Sequence, residues 1–207
     1  MRRATNQASI AIFAKAPIAG FVKTRLIPAI GAEGAARLQT KLIVRTIETA
    51  LAAELGPVSL WCTPDRQHEL FRSVAETHDI ELHEQTGVDL GMRMLRTFEA
   101  LTLRHPTILI GTDCPALKAN HLRDCIDALG HGADAVFVPA EDGGYVLVGM
   151  RKPIPDLFAG IPWGTERVMA ETRLRAAQFN VRIAEPVTLW DLDTAADHAR
   201  AKALGMV

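Results

Sequence analysis

Thr107–Pro115 reads TILIGTDCP. The run Thr107–Gly111 is continuous and apolar, the pattern of a strand at the centre of a sheet covered on both faces. Pro115 has no N–H to give to a ladder, so the chain must turn there. Asp113 is therefore left at the carboxyl end of a central strand. A carboxylate in that position is suited to Mg²⁺, a hard cation that takes oxygen ligands and substrate phosphates. It equally suits a local turn before proline.

The same alternation runs along the whole chain. Strands are expected at Ser9–Ala14, Val58–Cys62, Ile80–His83, Thr107–Gly111, Ala133–Val138, Tyr145–Val148 and Val181–Ala184. Helices are expected at Ala32–Leu55, Asp65–Thr77, Asp89–Arg104, Asn120–Leu129, Thr165–Phe179 and Asp193–Leu204. The first helix places Leu38, Leu42, Ile47, Leu51 and Leu55 on one side and Lys41, Arg45 and Glu48 on the other. Strands alternating with helices predict an α/β fold, a three-layer doubly wound and mostly parallel sheet. Ligands of such sheets bind beyond the carboxyl ends of the strands, near the topological switch point.

The 207 residues suit one domain with a sizeable core, and 1–207 is read as such. Hydrophobic residues make up 48%, charged residues 23%, and the formal net charge is −1. That balance gives no support for a nucleic-acid or membrane surface, so any phosphate site is local. Cys62, Cys114 and Cys125 are odd in number and match no zinc spacing, which fits a reducing, cytoplasmic setting. The start MRRATNQASIAIFAK has too short an apolar run for a secretion signal, and Lys15 interrupts it. The seven histidines form no metal-binding spacing.

After the first strand comes Ala14–Leu26, AKAPIAGFVKTRL. Pro17 and Gly20 shape a loop, and Lys23 and Arg25 can reach a polyphosphate, arginine by a two-pronged contact and lysine as a point charge. The order is neither a Walker A loop nor a dinucleotide-binding G-x-G-x-x-G, and a solvated charged loop fits the same residues. Gly87 and Gly91 bracket a turn into a helix that Asp89 is placed to cap. In EDGGYVLVG, Gly143 and Gly144 permit close backbone approach to a ligand, or make a hairpin turn that Asp142 serves. Asp191 and Asp193 alternate along an extended segment and face the same side. Asp193 is also placed to start a helix. Trp163 is placed to wall a pocket or to pack, with Thr165 a natural N-cap beside it. Cys114 is disfavoured as a nucleophile by the neighbouring carboxylate.

In order, FAKAPIAGFVKTRL, DLGMRM, GTDCPAL, PAEDGGYVLVG, WGTERV and WDLDT resemble the DUF2064 family, labelled as an arsenosugar-biosynthesis type of glycosyltransferase. The likeness runs from about Ile10 to the final helix. It implies a GT-A-like fold of the nucleotide-diphospho-sugar transferase superfamily and a nucleotide-binding transferase domain. KTRL is also similar to the first motif of 2-phospho-lactate guanylyltransferases. By position, the resemblance implies that Ala14, Lys15, Ala16, Pro17, Gly20, Lys23 and Arg25 hold the base and phosphates, with Leu90, Gly91 and Arg93 at the base or ribose. It implies that Asp113 and Asp193 hold Mg²⁺, with Lys23, Arg25 and Asp113 the catalytic set. Asp142, Gly143, Gly144, Tyr145 and Trp163 would line the acceptor side. One departure is that TDC lacks the second aspartate of a D-x-D motif.

Three activities follow. In the first, an NTP gives its NMP to a phosphorylated small molecule and releases pyrophosphate. In the second, a sugar nucleotide gives its sugar to an acceptor, with Asp142 or Glu141 as base. The third is nucleotide binding without catalysis. Two cations in one loop suit a triphosphate better than a sugar diphosphate, which favours the first. The partners are then a nucleotide (NTP or sugar nucleotide) and a small-molecule acceptor, with no nucleic acid and no membrane, and a homodimer is compatible with the sequence.

Overall fold

The computed structural model describes residues 7–102 and 105–207. Seven strands form one sheet: β1 Ser9–Lys15, β2 Val58–Thr63, β3 Glu81–Glu84, β4 Thr107–Ile110, β5 Ala135–Pro139, β6 Tyr145–Met150 and β7 Ile183–Ala184. Their order is β3-β2-β1-β4-β6-β5-β7. All neighbours are parallel except β6, which runs antiparallel to both β4 and β5. β1 and β4 are adjacent, with Ser9–Ile12 in register with Thr107–Ile110. The loops that follow these two strands therefore leave the sheet side by side. That adjacency positions everything described below.

Six helices cover the sheet: α1 Ile27–Ala52, α2 Glu69–His78, α3 Leu90–Leu101, α4 Ala119–Gly130, α5 Val168–Gln178 and α6 Ala195–Ala203. Strand side chains divide by parity between the two faces. Ile10, Ile12, Ile108 and Ile110 pack with α1, α2 and α4 through Leu42, Ile47, Phe71 and Leu122. Ala11, Phe13 and Leu109 pack on the other face with Met94, Phe98 and Met169 of α3 and α5. Both faces of β1 and β4 are buried, so neither strand shows polar alternation in sequence.

Several element boundaries differ from expectation, each for a local reason. α1 begins at Ile27, with Pro28 in its first turn, and kinks at Gly31 (φ +73°) before the expected start at Ala32. α2 begins at Glu69 rather than Asp65. The Asp65 carboxylate accepts the Gln67 N–H at 2.7 Å in a tight turn, and the His68 ring caps the helix by accepting from Leu70 N–H at 3.2 Å. α5 begins at Val168, after a turn in which the Thr165 hydroxyl donates to the Pro162 carbonyl at 2.8 Å and accepts the Arg167 N–H at 3.3 Å. α6 is capped by Thr194, which with Asp197 forms a capping box. The expected helix Asp89–Arg104 is seen as Leu90–Leu101, with Asp89 as its cap; Leu103 and Arg104 lie outside the described residues. So do the first six residues of the chain start. Among the described residues, no helix is long and apolar enough to cross a membrane.

Phe98 is fully buried in the α3 layer and stacks on Phe158 with ring centroids 6.0 Å apart. Phe98→Ala is expected to cost about 3–5 kcal/mol in denaturant unfolding. Val88, 93% exposed on the loop before α3, tests the same scale from the other end. Val88→Ala is expected to stay within about 0.5 kcal/mol.

Candidate functional site

Beyond the carboxyl ends of β1 and β4 lies an open cleft of about 470 Å³. The loop after β1 forms one wall, and Gly111–Asp113 after β4 form the floor. α1 holds that floor in place. Gln39 donates to the Thr112 hydroxyl at 3.1 Å, and Arg45 donates to the Pro115 carbonyl at 3.1 Å. A third tie comes from the far end of the chain, where Leu192 N–H donates to the Asp113 carbonyl at 2.8 Å. The segment carrying Leu192 is brought alongside β5 by a parallel bridge between Leu189 and Ala140.

Asp113 and Asp193 thereby meet, 80 residues apart in sequence, on a single cation. Lys23 Nζ lies 2.7 Å from Asp113 Oδ1 and 3.0 Å from Asp193 Oδ1, and donates to the Leu192 carbonyl at 2.8 Å. The Lys23 side chain is only 4% exposed. Burial works against its charge, but the two carboxylates outweigh burial and hold its pKa above the ordinary lysine range. Its backbone is left-handed (φ 45°, ψ 42°), a conformation that costs a residue bearing a Cβ roughly 1–2 kcal/mol. Asp193 is free to make this contact because Thr194 and Asp197, not Asp193, cap α6.

Among the described residues, no group of three or more His, Cys, Asp or Glu side chains is arranged to hold a metal ion. The donor set at the cleft is two carboxylates. That number fits Mg²⁺, which is usually bound by one or two carboxylates, with substrate phosphates and water completing its shell.

The other expected residues fall into three groups. Ala14, Lys15, Arg25 and Leu90 line the cleft with Lys23, Asp113 and Asp193. Lys15 donates to the Phe21 carbonyl at 2.7 Å and so closes the loop on itself. The Arg25 side chain is 72% exposed, 3.9 Å from Asp193. Asp142, Gly144, Tyr145 and Trp163 line a second cleft of about 410 Å³, which shares Arg25, Leu90, Tyr145 and Asp193 with the first. One Asp142 oxygen accepts the Gly144 N–H at 2.9 Å, so this aspartate also shapes its turn.

The third group supports the walls. Ala16 is buried and bonds the Thr63 carbonyl at 2.8 Å. Pro17 and Gly20 lie in the loop, Gly20 with φ +83°. Gly91 faces away from the first cleft: a Cβ there would come within 2.7 Å of the Trp163 ring, so its bare Cα lets Trp163 pack on α3. Gly143 (φ +90°) does the same for the Glu166 carbonyl, which a Cβ would meet at 2.0 Å. Arg93 turns its guanidinium back to the Gly87 carbonyl at 3.3 Å. Glu141, weighed as a base, is hydrogen-bonded to Arg200 at 2.8 and 3.2 Å. That pairing lowers its pKa, which does not suit a base. Cys114 is indeed a poor nucleophile, its thiol pushed up to about 12, but burial is the larger cause and the nearby Asp191 the smaller.

Asp191 is the main residue the sequence did not single out for the site. It lines the first cleft. Its pKa is pushed up to about 8, chiefly by burial and then by Asp113, Asp142 and Asp193, with Lys23 opposing. The alternation of Asp191 and Asp193 was the available signal. Gln39, Thr112 and Gln85 also line the cleft and carried no signal, because each belongs to an ordinary helix or loop pattern.

The chain belongs to the family described as uncharacterized protein conserved in bacteria (DUF2064), whose pattern it matches over residues 46–165. Among solved structures it is similar to a candidate nucleotide-diphospho-sugar transferase from Desulfovibrio desulfuricans G20. The identity is 28%, over 92% of this chain and 84% of that one, with a TM-score of 0.83. It also shares its fold with a 4-diphosphocytidyl-2C-methyl-D-erythritol synthase from Anaerococcus prevotii DSM 20548, at 12% identity, 98% and 100% coverage, and a TM-score of 0.65. A CMP:2-keto-3-deoxy-manno-octonic acid synthetase complexed with CTP matches at 11% identity, 96% and 98% coverage, and a TM-score of 0.61. No curated protein matches the chain. The fold is thus that of nucleotide-diphospho-sugar transferases and cytidylyltransferases.

Unfolded, Asp191 ionises near the ordinary carboxylate value of about 4. Folded, it keeps its proton up to about pH 8. The native state therefore binds the extra proton between these values, and stability falls as pH rises through that window. In metal-free buffer, Asp191→Asn should melt above the wild type at about pH 9, with the difference closing towards about pH 4. A melting difference that is the same at both ends would contradict the burial of an ionisable Asp191.

Proposed function

We propose that the chain is one nucleotide-binding transferase domain that moves the NMP of an NTP to a phosphorylated small molecule and releases pyrophosphate. One observation carries this above all: Asp113 and Asp193 converge on the Lys23 ammonium at a cleft that Lys15 and Arg25 also line. Paired carboxylates beside clustered cations are what a polyphosphate with a divalent ion requires. Resemblance in fold to a synthetase complexed with CTP is consistent with this.

In this reading Asp113 and Asp193 hold Mg²⁺. When bound, the ion neutralises charge on the triphosphate and on the departing pyrophosphate. Arg25, exposed at the junction of the two clefts, grips phosphate oxygens and stabilises the charge that builds up as the bond between the α- and β-phosphates breaks. The acceptor occupies the second cleft between Trp163 and the Asp142–Gly144 turn. Its phosphate oxygen forms the new bond to the α-phosphorus. An attacking phosphate is already anionic, so no side chain has to remove a proton, which agrees with the tying up of Glu141 by Arg200.

Glycosyl transfer from a sugar nucleotide is the second reading, favoured by the likeness to the D. desulfuricans candidate nucleotide-diphospho-sugar transferase. In that case Asp142, on the wall of the second cleft, takes the place of Glu141 as base.

Thermal shift against the four NTPs and common sugar nucleotides, with and without Mg²⁺, separates the two, because a ligand of the native state raises the melting temperature. Stabilisation by one NTP, followed by pyrophosphate release in the presence of sugar and polyol phosphates, is expected. Asp113→Asn should then lower turnover by roughly 10²-fold, the rate equivalent of losing about 3 kcal/mol of charge stabilisation. Stabilisation chiefly by a sugar nucleotide, with no pyrophosphate released, would establish glycosyl transfer instead. Unchanged Mg²⁺-dependent nucleotide affinity in Asp113→Asn would remove the metal assignment.

A further inference from the structure

Lys23 is expected from its sequence position to serve phosphate, yet its ammonium is fully engaged elsewhere. An ammonium has three N–H donors. Here the three acceptors Asp113 Oδ1, Asp193 Oδ1 and the Leu192 carbonyl lie at 2.7, 3.0 and 2.8 Å. No donor is left for a phosphate until one of these three acceptors is released. The two carboxylates it occupies are also those that a divalent ion would need, and like charges crowded onto the same pair of carboxylates repel.

The surrounding loop holds Lys23 in a strained backbone conformation. Lys23 sits between Gly20 (φ +83°) and the single 3₁₀ turn Thr24–Leu26, in a left-handed conformation of its own. Such strained positions persist only where their surroundings hold them, and they cluster at switch segments. Val22 before it is buried, while Phe21 and Arg25 on either side are open to solvent, Phe21 67% exposed and the Arg25 side chain 72% exposed. Arg25 is thus available to meet an incoming phosphate while Lys23 is still held.

We propose that Lys23 is an internal counter-cation. It closes the Asp113–Asp193 pair in the nucleotide-free protein and excludes a divalent ion until a triphosphate draws the ammonium onto its own oxygens. Metal then enters with the nucleotide and not ahead of it. This rests on the assignment of Asp113 and Asp193 as metal ligands made above, but its test needs neither nucleotide nor turnover.

The test is a Mn²⁺ titration of the full chain without nucleotide, read by the electron paramagnetic resonance of free Mn²⁺. It compares wild type, Lys23→Met, and Lys23→Met combined with Asp113→Asn, with Lys23→Gln as the substitute should Lys23→Met fail to fold. The neutral variant is expected to bind Mn²⁺ about tenfold or more tightly than wild type, and the double variant to lose that gain. A neutral variant no tighter than wild type would overturn the proposal. So would nucleotide-free wild type that binds Mn²⁺ through Asp113 as tightly as the variant does. Failure to detect pyrophosphate release with any donor would remove the proposed reaction and leave this result standing.

Discussion

The contact on which the cleft depends is the buried ammonium of Lys23 between Asp113 and Asp193. It joins the loop after β1, the loop after β4 and the segment before α6. Three stretches far apart in sequence are therefore held at one point by charge. The ordering of those stretches is prepared elsewhere. β1 and β4 pair in the middle of the sheet, α1 reaches across to fix Thr112 and Pro115, and the Thr194–Asp197 box caps α6 so that Asp193 need not. Each of these is an ordinary structural interaction. Their joint effect is to place two half-exposed carboxylates where only one internal cation opposes them.

Carboxyl groups outnumber cations at this point. Asp191 adds a third, half-buried carboxyl that keeps its proton up to about pH 8 and adds negative charge only above it, and Asp142 lies near enough to influence it. Opposed to these are the buried Lys23 ammonium and Arg25 at the rim. Such an arrangement attracts further positive charge when its carboxylates are ionised, and a polyphosphate can occupy it only in company with a cation. The second cleft shares residues with the first, so a group bound there lies beside whatever the first cleft holds.

Much of the fold was legible in the sequence because its strands are buried on both faces. Apart from their leading Thr107 and Ser9, TILIG and SIAIFA are continuously apolar, so their central place follows from the pattern. The antiparallel course of β6 was not legible as such, since a Gly-Gly turn is compatible with several directions. The start of α2 was misjudged because Asp65 looks like a cap, and only the fold shows that it serves a turn while His68 caps. At the site, Asp113 was visible from its place after a central strand. Asp193 was ambiguous between cap and ligand, and Thr194, which caps α6, removes the first reading. Lys23 was read as a phosphate ligand from its charge and position; its carboxylate partners were not legible, because sequence gives charge but not partners. Gly91 was read as bordering the base or ribose; the room its bare Cα leaves for the Trp163 ring is visible only in the fold. Asp191 was missed because burial, which sets its chemistry, is a property of the folded chain.

The most direct measurement is a crystal structure of the protein with the stabilising nucleotide and Mn²⁺, located by anomalous scattering. The account predicts Mn²⁺ between Asp113 and Asp193, bridging to the nucleotide's phosphates, with the Lys23 ammonium moved from the carboxylates onto a phosphate oxygen. A nucleotide bound with Lys23 still between the two aspartates, and Mn²⁺ absent or elsewhere, would contradict it.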